Sequence, residues 1–334
     1  MKAAVLTKFG PPEVLQLQEV AKPIPKDDEV LIKIYATTVT AGDCELRSLR
    51  TSLGLKVPIW IFVGLARLIR PGPIILGQEL AGEVEAVGKE VTRFRKGDQV
   101  FGWCGLGLGA YAEYKCLPED GMLAIKPSNM TYEQAAPLPV GGLDAVYFLR
   151  RGHIQSGHKV LINGAGGSIG TFAVQLAKYF GAEVTSVDST GKLDMLRSIG
   201  ADHVVDYTQE DFTKSGETYD VIFDVVGKSS FSRSVRLLTP NGRYLLGNPR
   251  LSDRARGQWT SMSSSKRVIP YAARTASEYT EDCKFLKELI EAGKIQSVID
   301  RCYPFEQTAE AHRYVDTGQK AGNVVITVGH DNRT

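Results

Sequence analysis

Residues 159–170 read KVLINGAGGSIG, a short apolar run followed by a glycine-rich turn. The run predicts a β-strand over 159–162. Apolar side chains spaced by four, seven and eight residues then predict a helix that begins near Ser168. A second apolar strand over 183–187 follows directly and ends before Asp188. The order strand, glycine turn, helix, strand and acid predicts a βαβ unit of a parallel sheet that binds a dinucleotide.

The glycine-rich turn suits phosphate groups for physical reasons. Glycine permits a tight turn, a close approach of the backbone to a pyrophosphate and close packing of the helix on the sheet. The helix N-terminus also presents unpaired N–H groups and the positive end of the helix dipole. A glycine-rich turn alone can be a simple connection, but the flanking strand, helix and acid favour dinucleotide binding. The predicted phosphate-binding residues are Ala165, Gly166, Gly167, Ser168, Ile169 and Gly170.

The residues after the second and third strands give mixed signals about which nicotinamide cofactor is used. The Asp188 carboxylate can accept hydrogen bonds from the two ribose hydroxyls of NAD(H) and would repel a 2′-phosphate. Ser189, Lys192 and Tyr207 could instead surround that phosphate. The sequence therefore predicts NAD(P)H and leaves NADH and NADPH open. The remaining predicted cofactor-binding residues are Leu246, Gly247 and Asn323.

The composition and the predicted secondary structure differ along the chain. Residues 1–126 are rich in glycine, proline and β-branched residues, with strand candidates at 3–6, 30–35, 82–87, 99–102 and 110–117, which predicts an antiparallel, barrel-like domain. Residues 127–266 alternate helix and strand, as in a doubly wound parallel sheet, and begin with a predicted helix over 133–150. The polar stretch 251–265 predicts a surface loop. Residues 267–334 are expected to return to the first domain. The predicted fold class is α/β.

Composition excludes several classes of function. Lysine and arginine number 40 against 38 aspartates and glutamates, so we predict no nucleic-acid partner. The five cysteines contain no CxxC pair, which argues against a disulfide framework or a zinc knuckle and favours a reducing cytoplasm. The N-terminal residues also lack the pattern of a secretory or transit signal. The apolar segment 58–70 is too short to span a bilayer, so we predict a buried or site-covering segment, with contact to a membrane surface as the alternative.

The order of these parts resembles the medium-chain dehydrogenase/reductase superfamily. The motifs that carry the resemblance are LGQELAG (76–82) leading to Val87 and Gly88, GDQV (97–100), and the βαβ unit. The resemblance covers nearly the whole chain. It implies a GroES-like β-barrel domain at the N-terminus, a Rossmann dinucleotide-binding domain and a homodimer.

The resemblance also bears on metal binding. At the positions that ligate the catalytic zinc in the alcohol dehydrogenases of this superfamily, the chain has Thr40, Gln78 and Val140, and the four-cysteine structural-zinc lobe is absent. Hydroxyl, amide and isopropyl groups do not form a zinc site, so no metal is predicted. The branch with the most similar pattern is the zinc-free quinone oxidoreductases, which share a run like LPVGGL (138–143) and the run GADHVVDY (200–207). Their NADPH sites use a lysine and a tyrosine that match Lys192 and Tyr207.

The lack of zinc-ligating residues limits which substrates can accept a hydride. Without a Lewis acid a simple ketone is a poor hydride acceptor, so the sequence predicts hydride transfer from NAD(P)H to a quinone or an α,β-unsaturated carbonyl. The resemblance gives four candidate catalytic residues: Thr40, Asp43, Glu45 and Asp144. Glu45 stands where a tyrosine is frequent and Asp144 where a threonine is usual, and a surface or helix-capping role is the alternative for Glu45. The alternative functions are a metal-free alcohol or aldehyde dehydrogenase and a non-catalytic NAD(P)H sensor.

Overall fold

The computed structural model describes residues 1–48, 72–272 and 274–330 of the chain. These residues form two compact units. The first comprises Met1–Pro139 and Ile299–Thr334, and the second comprises Val140–Val298. The domain limits proposed from sequence, 126/127 and 266/267, stay a prediction.

The apolar segment 58–70 lies outside the described residues, so its predicted covering role stays a prediction. In the ranges that the structure does describe, each helix is too short or too polar to cross a bilayer.

The first unit is built mainly from strands. They are β1 (Lys2–Leu6), β2 (Leu15–Glu19), β3 (Glu29–Thr38), β4 (Ile74–Ile75), β5 (Glu79–Val87), β6 (Gln99–Trp103), β7 (Tyr114–Pro118), β8 (Leu123–Ile125), β15 (Ile299–Pro304) and β16 (Asn323–Thr327). Its described helices are α1 (Ala41–Ser48), α2 (Tyr132–Ala135) and α9 (Thr308–Asp316). A seven-stranded sheet runs in the order β15-β16-β3-β5-β6-β8, with β7 also paired to β3, and a smaller sheet has the order β2-β1-β4. The pairs are antiparallel except for β15 with β16.

The second unit alternates helices and strands. Its strands are β9 (Lys159–Asn163), β10 (Glu183–Asp188), β11 (His203–Asp206), β12 (Tyr219–Asp224), β13 (Leu238–Leu246) and β14 (Arg267–Pro270). Its described helices are α3 (Leu143–Gly152), α4 (Ser168–Tyr179), α5 (Leu193–Ser198), α6 (Phe231–Arg236), α7 (Leu251–Ser263) and α8 (Ala276–Glu291). The strands are apolar because both faces of a parallel sheet are covered: Leu161, Ile162 and Phe223 are fully buried.

The strand order of the second unit determines where a ligand can bind. The six strands run β11-β10-β9-β12-β13-β14 and all pair in parallel. From β9 the chain first builds outward through β10 and β11, and then returns to β12 on the other side. Right-handed crossovers place the helices of the two halves on opposite faces and leave a crevice at the carboxyl ends of β9 and β12. The predicted doubly wound sheet is confirmed, and the glycine-rich turn follows β9 at this crevice.

Two element predictions were wrong. The stretch 251–265 forms the helix α7, and its Gly257 packs closely on β14, where an added Cβ would lie 2.6 Å from Val268 Cγ1. Most of this helix faces solvent, so the sequence shows no apolar stripe that packs on the core. The single helix predicted over 133–150 is instead α2, a π-helical turn (Leu138–Gly142) and α3. Pro137 and Pro139 interrupt it because proline lacks the N–H that an α-helix needs.

Candidate functional site

The glycine-rich turn after β9 has the close approaches that its sequence predicts. Gly164 adopts φ +84°, a left-handed conformation that favours glycine. A Cβ on Gly170 would lie 2.5 Å from the Ala165 carbonyl oxygen and nearer still to that of Gly164. Gly167 is the N-cap of α4 and has no side chain with which to cap the helix. The turn and the helix N-terminus therefore form a cradle of backbone N–H groups that fits a pyrophosphate.

Asp188, the last residue of β10, is hydrogen-bonded to this turn. Its Oδ2 accepts the Gly166 N–H at 2.8 Å, and its Oδ1 accepts the Ser189 N–H at 2.8 Å. The residue is 5% exposed. Asp188, which is predicted to recognise the adenosine ribose, is thus also hydrogen-bonded to the glycine-rich turn.

Lys192 forms a salt bridge with the same carboxylate. Its Nζ lies 2.9 Å from Asp188 Oδ1, and both side chains are buried. Its aliphatic chain crosses the glycine turn, since a Cβ on Gly166 would lie 2.6 Å from Lys192 Cδ. The structure therefore brings together four of the predicted cofactor-binding residues, Gly166, Asp188, Ser189 and Lys192, and their binding of a cofactor stays a prediction.

Tyr207 lies beside this group. Its N–H donates to the Asp188 carbonyl oxygen at 3.1 Å, while its side chain is 59% exposed. The preceding residue, Asp206, pairs in register with Asp188 across β10 and β11. Asp206 accepts hydrogen bonds from the Thr190 hydroxyl and from the N–H and hydroxyl of Thr208. Asp206 was not among the predicted site residues, although its place at a strand end was a usable signal.

A buried carboxylate, Asp224, was also missed by the sequence analysis. Asp224 ends β12 and is 1% exposed. Its Oδ1 accepts the Asn163 amide and the Gly227 N–H, each at 2.9 Å, and its Oδ2 accepts the hydroxyls of Ser229 and Tyr244. Burial raises the pKa of the Tyr244 phenol above its usual range. The network joins the carboxyl ends of β9, β12 and β13 at the crevice.

Three further predicted cofactor residues lie in different places. Leu246 is buried at the end of β13, and the Gly247 N–H donates to the Asp224 carbonyl oxygen at 2.9 Å. Both therefore lie at the carboxyl edge of the parallel sheet. Asn323 is fully buried at the start of β16, in the first unit.

In the first unit, Thr40 and Asp43 form a reciprocal cap at the start of α1. The Thr40 N–H and hydroxyl donate to Asp43 Oδ2 at 3.0 and 2.7 Å, and the Asp43 N–H donates to Thr40 Oγ1 at 3.1 Å. The Gln78 amide also donates to Thr40 Oγ1, at 3.0 Å. The Thr40 hydroxyl thus has one donated and two accepted hydrogen bonds, which fills its capacity.

Asp43 is fully buried, and burial raises its pKa to about 6, against the opposing effect of the Thr40 hydrogen bonds. Its Oδ1 has no hydrogen bond of normal geometry to any described residue, although the Gly77 N–H and the Gln78 amide lie near enough to lower the pKa. A carboxylate with this pKa can exchange a proton near neutrality.

The other two catalytic candidates have different surroundings. Glu45 is half-buried on α1, two residues beyond Asp43. Asp144 lies in the first turn of α3 in the second unit and forms a salt bridge with Arg274, whose Nη1 also donates to the Leu143 carbonyl oxygen at 2.9 Å. Burial raises the pKa of Asp144 to about 6, although Arg274 favours its charged form.

The residues at the position of a catalytic zinc do not fit that metal. Thr40 offers a hydroxyl whose hydrogen-bonding capacity is filled, and Gln78 offers a neutral amide. Within the described ranges, no group of three or more histidine, cysteine, aspartate or glutamate residues could hold a metal ion.

Comparison with known proteins agrees with this architecture. A family model described as "Alcohol dehydrogenase GroES-like domain" matches residues 26–127, and one described as "Zinc-binding dehydrogenase" matches residues 199–326. The chain is 33% identical to a quinone oxidoreductase from Sus scrofa, over 93% of each protein. It is 31% identical to a chloroplastic NADPH-dependent alkenal/one oxidoreductase from Arabidopsis thaliana, over 98% of this chain and 79% of that protein.

The chain belongs to the medium-chain dehydrogenase/reductase superfamily. The solved quinone oxidoreductase of Coxiella burnetii shares the fold of this superfamily member with a TM-score of 0.84 and 27% identity, over 98% of this chain and 99% of that one. The predicted superfamily and the predicted fold class, with a GroES-like N-terminal part and a Rossmann-like parallel sheet, are confirmed.

Proposed function

We propose that this medium-chain reductase transfers hydride from NAD(P)H to a quinone or an α,β-unsaturated carbonyl. The observation that carries the proposal is the glycine cradle after β9, where an added Cβ at Gly170 would meet backbone carbonyls. The names of its relatives, a quinone oxidoreductase and an alkenal/one oxidoreductase, support this class of acceptor.

In this proposal the second unit holds the cofactor. Backbone N–H groups of the turn and of the first turn of α4 bind the pyrophosphate, and Asp188 binds the adenosine ribose. The Asp224 network fixes the ends of β9, β12 and β13, where Leu246 and Gly247 would contact the cofactor. A bound NAD(P)H would supply a hydride, which carries two electrons and one proton to the acceptor.

We propose that this reaction is independent of zinc. Thr40 and Gln78 are hydrogen-bonded to each other, and neither a hydroxyl nor a neutral amide is a ligand that a catalytic zinc prefers. Without a metal ion to stabilise the oxyanion, the acceptor itself must delocalise the charge. Quinones and enones meet that condition. Asp43, Glu45 or solvent supplies the proton that completes the reduction.

A cytoplasmic location and a homodimer are also part of this proposal. The location is supported by five cysteines that are all free. The homodimer is supported by the resemblance to the superfamily and by the general rule that soluble oligomers are usually closed and symmetric, most often dimers.

The test follows oxidation of NADH and NADPH by the chelator-treated protein with quinones, conjugated enones, saturated ketones and aldehydes. Turnover confined to quinones or enones, with no zinc found by elemental analysis, is the expected result. Restoration of activity only by added zinc would contradict zinc independence. Reduction of NAD(P)⁺ by simple alcohols would favour the alcohol dehydrogenase, and cofactor binding without turnover of any acceptor would favour the sensor. The Gly170→Ala variant serves as the control for contaminating reductases, because its cradle is blocked.

A further inference from the structure

Helix α7 carries its apolar side chains on the face that points to solvent. Its buried residue, Gly257, packs on Val268 of β14. Leu251, Trp259 and Met262 are 55%, 72% and 79% exposed. Because a helix turns about 100° per residue, these three lie within an arc of about 80°, on the side away from Gly257. A surface helix normally turns such a stripe toward the core, so α7 has the opposite orientation.

Basic residues border this apolar stripe. Arg254 and Arg256 are both exposed and lie on its two sides, each about 60° from the nearest apolar side chain. Residues 250–267 contain five lysines and arginines and one aspartate, so five positive charges and one negative charge leave +4, against +2 for the whole chain. The positive charge of the chain is therefore concentrated around α7.

The described contacts leave these charges uncompensated. Arg256 donates to the Ser232 hydroxyl, which is neutral. Lys266 and Arg267 donate to backbone carbonyl oxygens. The one acid of the segment, Asp253, accepts the Arg250 N–H in the helix cap. The surface around the apolar stripe thus attracts anions.

An exposed apolar stripe between arginines fits one kind of partner. Helices that lie in a membrane interface bury apolar side chains, with tryptophan among them, and pair lysines and arginines with anionic lipids. Tryptophan itself favours the level of the lipid headgroups. A nucleic acid would contact the arginines but leave Leu251 and Met262 in water. A second copy is also a poor fit, because a two-fold interface brings the same patch together and would oppose like charges.

We propose that α7 is a docking helix that binds the surface of a bilayer containing anionic lipids. Its 13 residues are too few to span a bilayer, so it lies in the plane of the interface. Trp259 and Met262 enter the headgroup region, and Arg254 pairs with lipid phosphates. Such binding is peripheral and is compatible with a cytoplasmic location. It does not depend on the proposed function, since α7 binds lipid whether or not the chain reduces a quinone.

The experiment measures sedimentation of the full chain with vesicles of phosphatidylcholine, with and without phosphatidylserine. Trp259→Ser removes apolar surface and keeps the charges, whereas Arg254→Glu reverses a charge and keeps the apolar stripe. Ile24→Ser is the first control, because it removes an apolar side chain that is 86% exposed in the other unit. Lys8→Glu is the second control, because it makes the same change in net charge at an exposed residue.

We expect binding to vesicles that contain phosphatidylserine and at least about tenfold weaker binding to phosphatidylcholine alone. Trp259→Ser should weaken the binding about tenfold, and Arg254→Glu should do so by a similar factor. Salt at about 1 M should release the protein, because charges are then screened within about 3 Å. The fluorescence that Trp259→Ser removes should shift to shorter wavelengths on binding. Both controls should bind as the unmodified chain does, and all four variants should unfold at the same urea concentration.

Four results would overturn the inference. The first is no binding to either kind of vesicle, and the second is equal binding to both. The third is binding that Trp259→Ser and Arg254→Glu leave unchanged or that the two controls weaken equally. The fourth is a dimer in light scattering that Trp259→Ser dissociates, because a second copy of the chain would then cover the stripe.

Discussion

The carboxylate of Asp188 and the backbone N–H of Gly166 are joined by a 2.8 Å hydrogen bond. This bond ties the end of β10 to the glycine-rich turn that follows β9. The same carboxylate holds Lys192 at 2.9 Å. One side chain therefore shapes the turn, neutralises the nearest cation and faces the expected ribose position, so a substitution there changes three properties at once.

Replacing Asp188 with serine should shift cofactor preference toward NADPH. The variant loses the carboxylate that repels a 2′-phosphate and releases Lys192 to bind it. We expect the ratio of the NADPH and NADH dissociation constants to fall by about tenfold, a change of about 1.4 kcal/mol. The ratio is the quantity to measure because loss of the Gly166 hydrogen bond can weaken both cofactors. Asp194→Ser, at an exposed residue paired with Arg197, is the control. Unchanged relative affinities would count against the role given to Asp188.

Replacing Gly170 with alanine should disrupt the cradle. The added Cβ would lie 2.5 Å from the Ala165 carbonyl oxygen and nearer still to the Gly164 carbonyl oxygen. Both are backbone atoms, so neither can rotate away as a side chain could. We expect a loss of about 2–3 kcal/mol in the free energy of unfolding, as for overpacking in a core, together with loss of cofactor binding. Urea unfolding and calorimetry measure the two effects. Gly191→Ala is the stability control, because its Cβ would meet nothing within 4 Å. Normal stability and normal binding in Gly170→Ala would show that the turn is not a cradle.

The parts of the fold that could be predicted from sequence are those where local patterns and tertiary packing agree. The βαβ unit is an example, because its strands are apolar on both faces and its helix has a clear buried stripe. Helix α7 was missed because Gly257 is its only buried residue, which leaves no buried apolar stripe to read. Strand β14 was missed with it, since a four-residue strand gives a weak signal.

The candidate site was predictable to a similar degree. The glycines and Asp188 follow from motif spacing, whereas Asp206 and Asp224 act through hydrogen bonds that depend on which strand ends are neighbours. Thr40 and Asp43 are three residues apart, the spacing of a helix cap, and the structure shows them in that arrangement. The signal for a helix cap was therefore present in the sequence.

The buried Asp43 should make stability depend on pH. Its pKa is about 6 in the folded chain, against an ordinary value of about 3.9 in the unfolded chain. Because the folded state holds the proton more tightly, this contribution to stability is present below about pH 3.9 and is lost as the pH rises through 6. Asp43→Asn keeps the helix cap and does not titrate. Between pH 4 and 7 the stability of the unmodified chain, relative to this variant, should fall by about 2–3 kcal/mol in urea unfolding.

His312 provides an opposite trend in the same unit. Burial lowers its pKa to about 3, so the stability it contributes is present above about pH 6.5 and is lost as the pH falls toward 3. The difference between the unmodified chain and Asp43→Asn removes this background, since both contain His312. A flat difference between the unmodified chain and Asp43→Asn would mean that the Asp43 carboxylate is ionised in the folded chain without cost.

The Asp224 network should make that carboxylate more important for stability than any one of its partners. Asp224→Ala would leave the Asn163 amide and the Tyr244 hydroxyl buried without their acceptor, at a cost of about 3–5 kcal/mol in the free energy of unfolding. Asp224→Asn should lose less free energy of unfolding, because the hydroxyls of Ser229 and Tyr244 can rotate to accept hydrogen bonds from an amide. Tyr244→Phe removes a single hydrogen bond and should lose only about 1 kcal/mol.

Asp220 offers a matched control on the same strand. It accepts the Lys159 N–H and the Thr239 hydroxyl, each at 2.9 Å, but is only half-buried, so water can replace it. Asp220→Ala should therefore cost about 1 kcal/mol. Chemical denaturation of the four variants gives the order of losses directly. If the free energy of unfolding fell no more in Asp224→Ala than in Asp220→Ala, the Asp224 network would not be essential for holding the ends of β9, β12 and β13 together at the crevice.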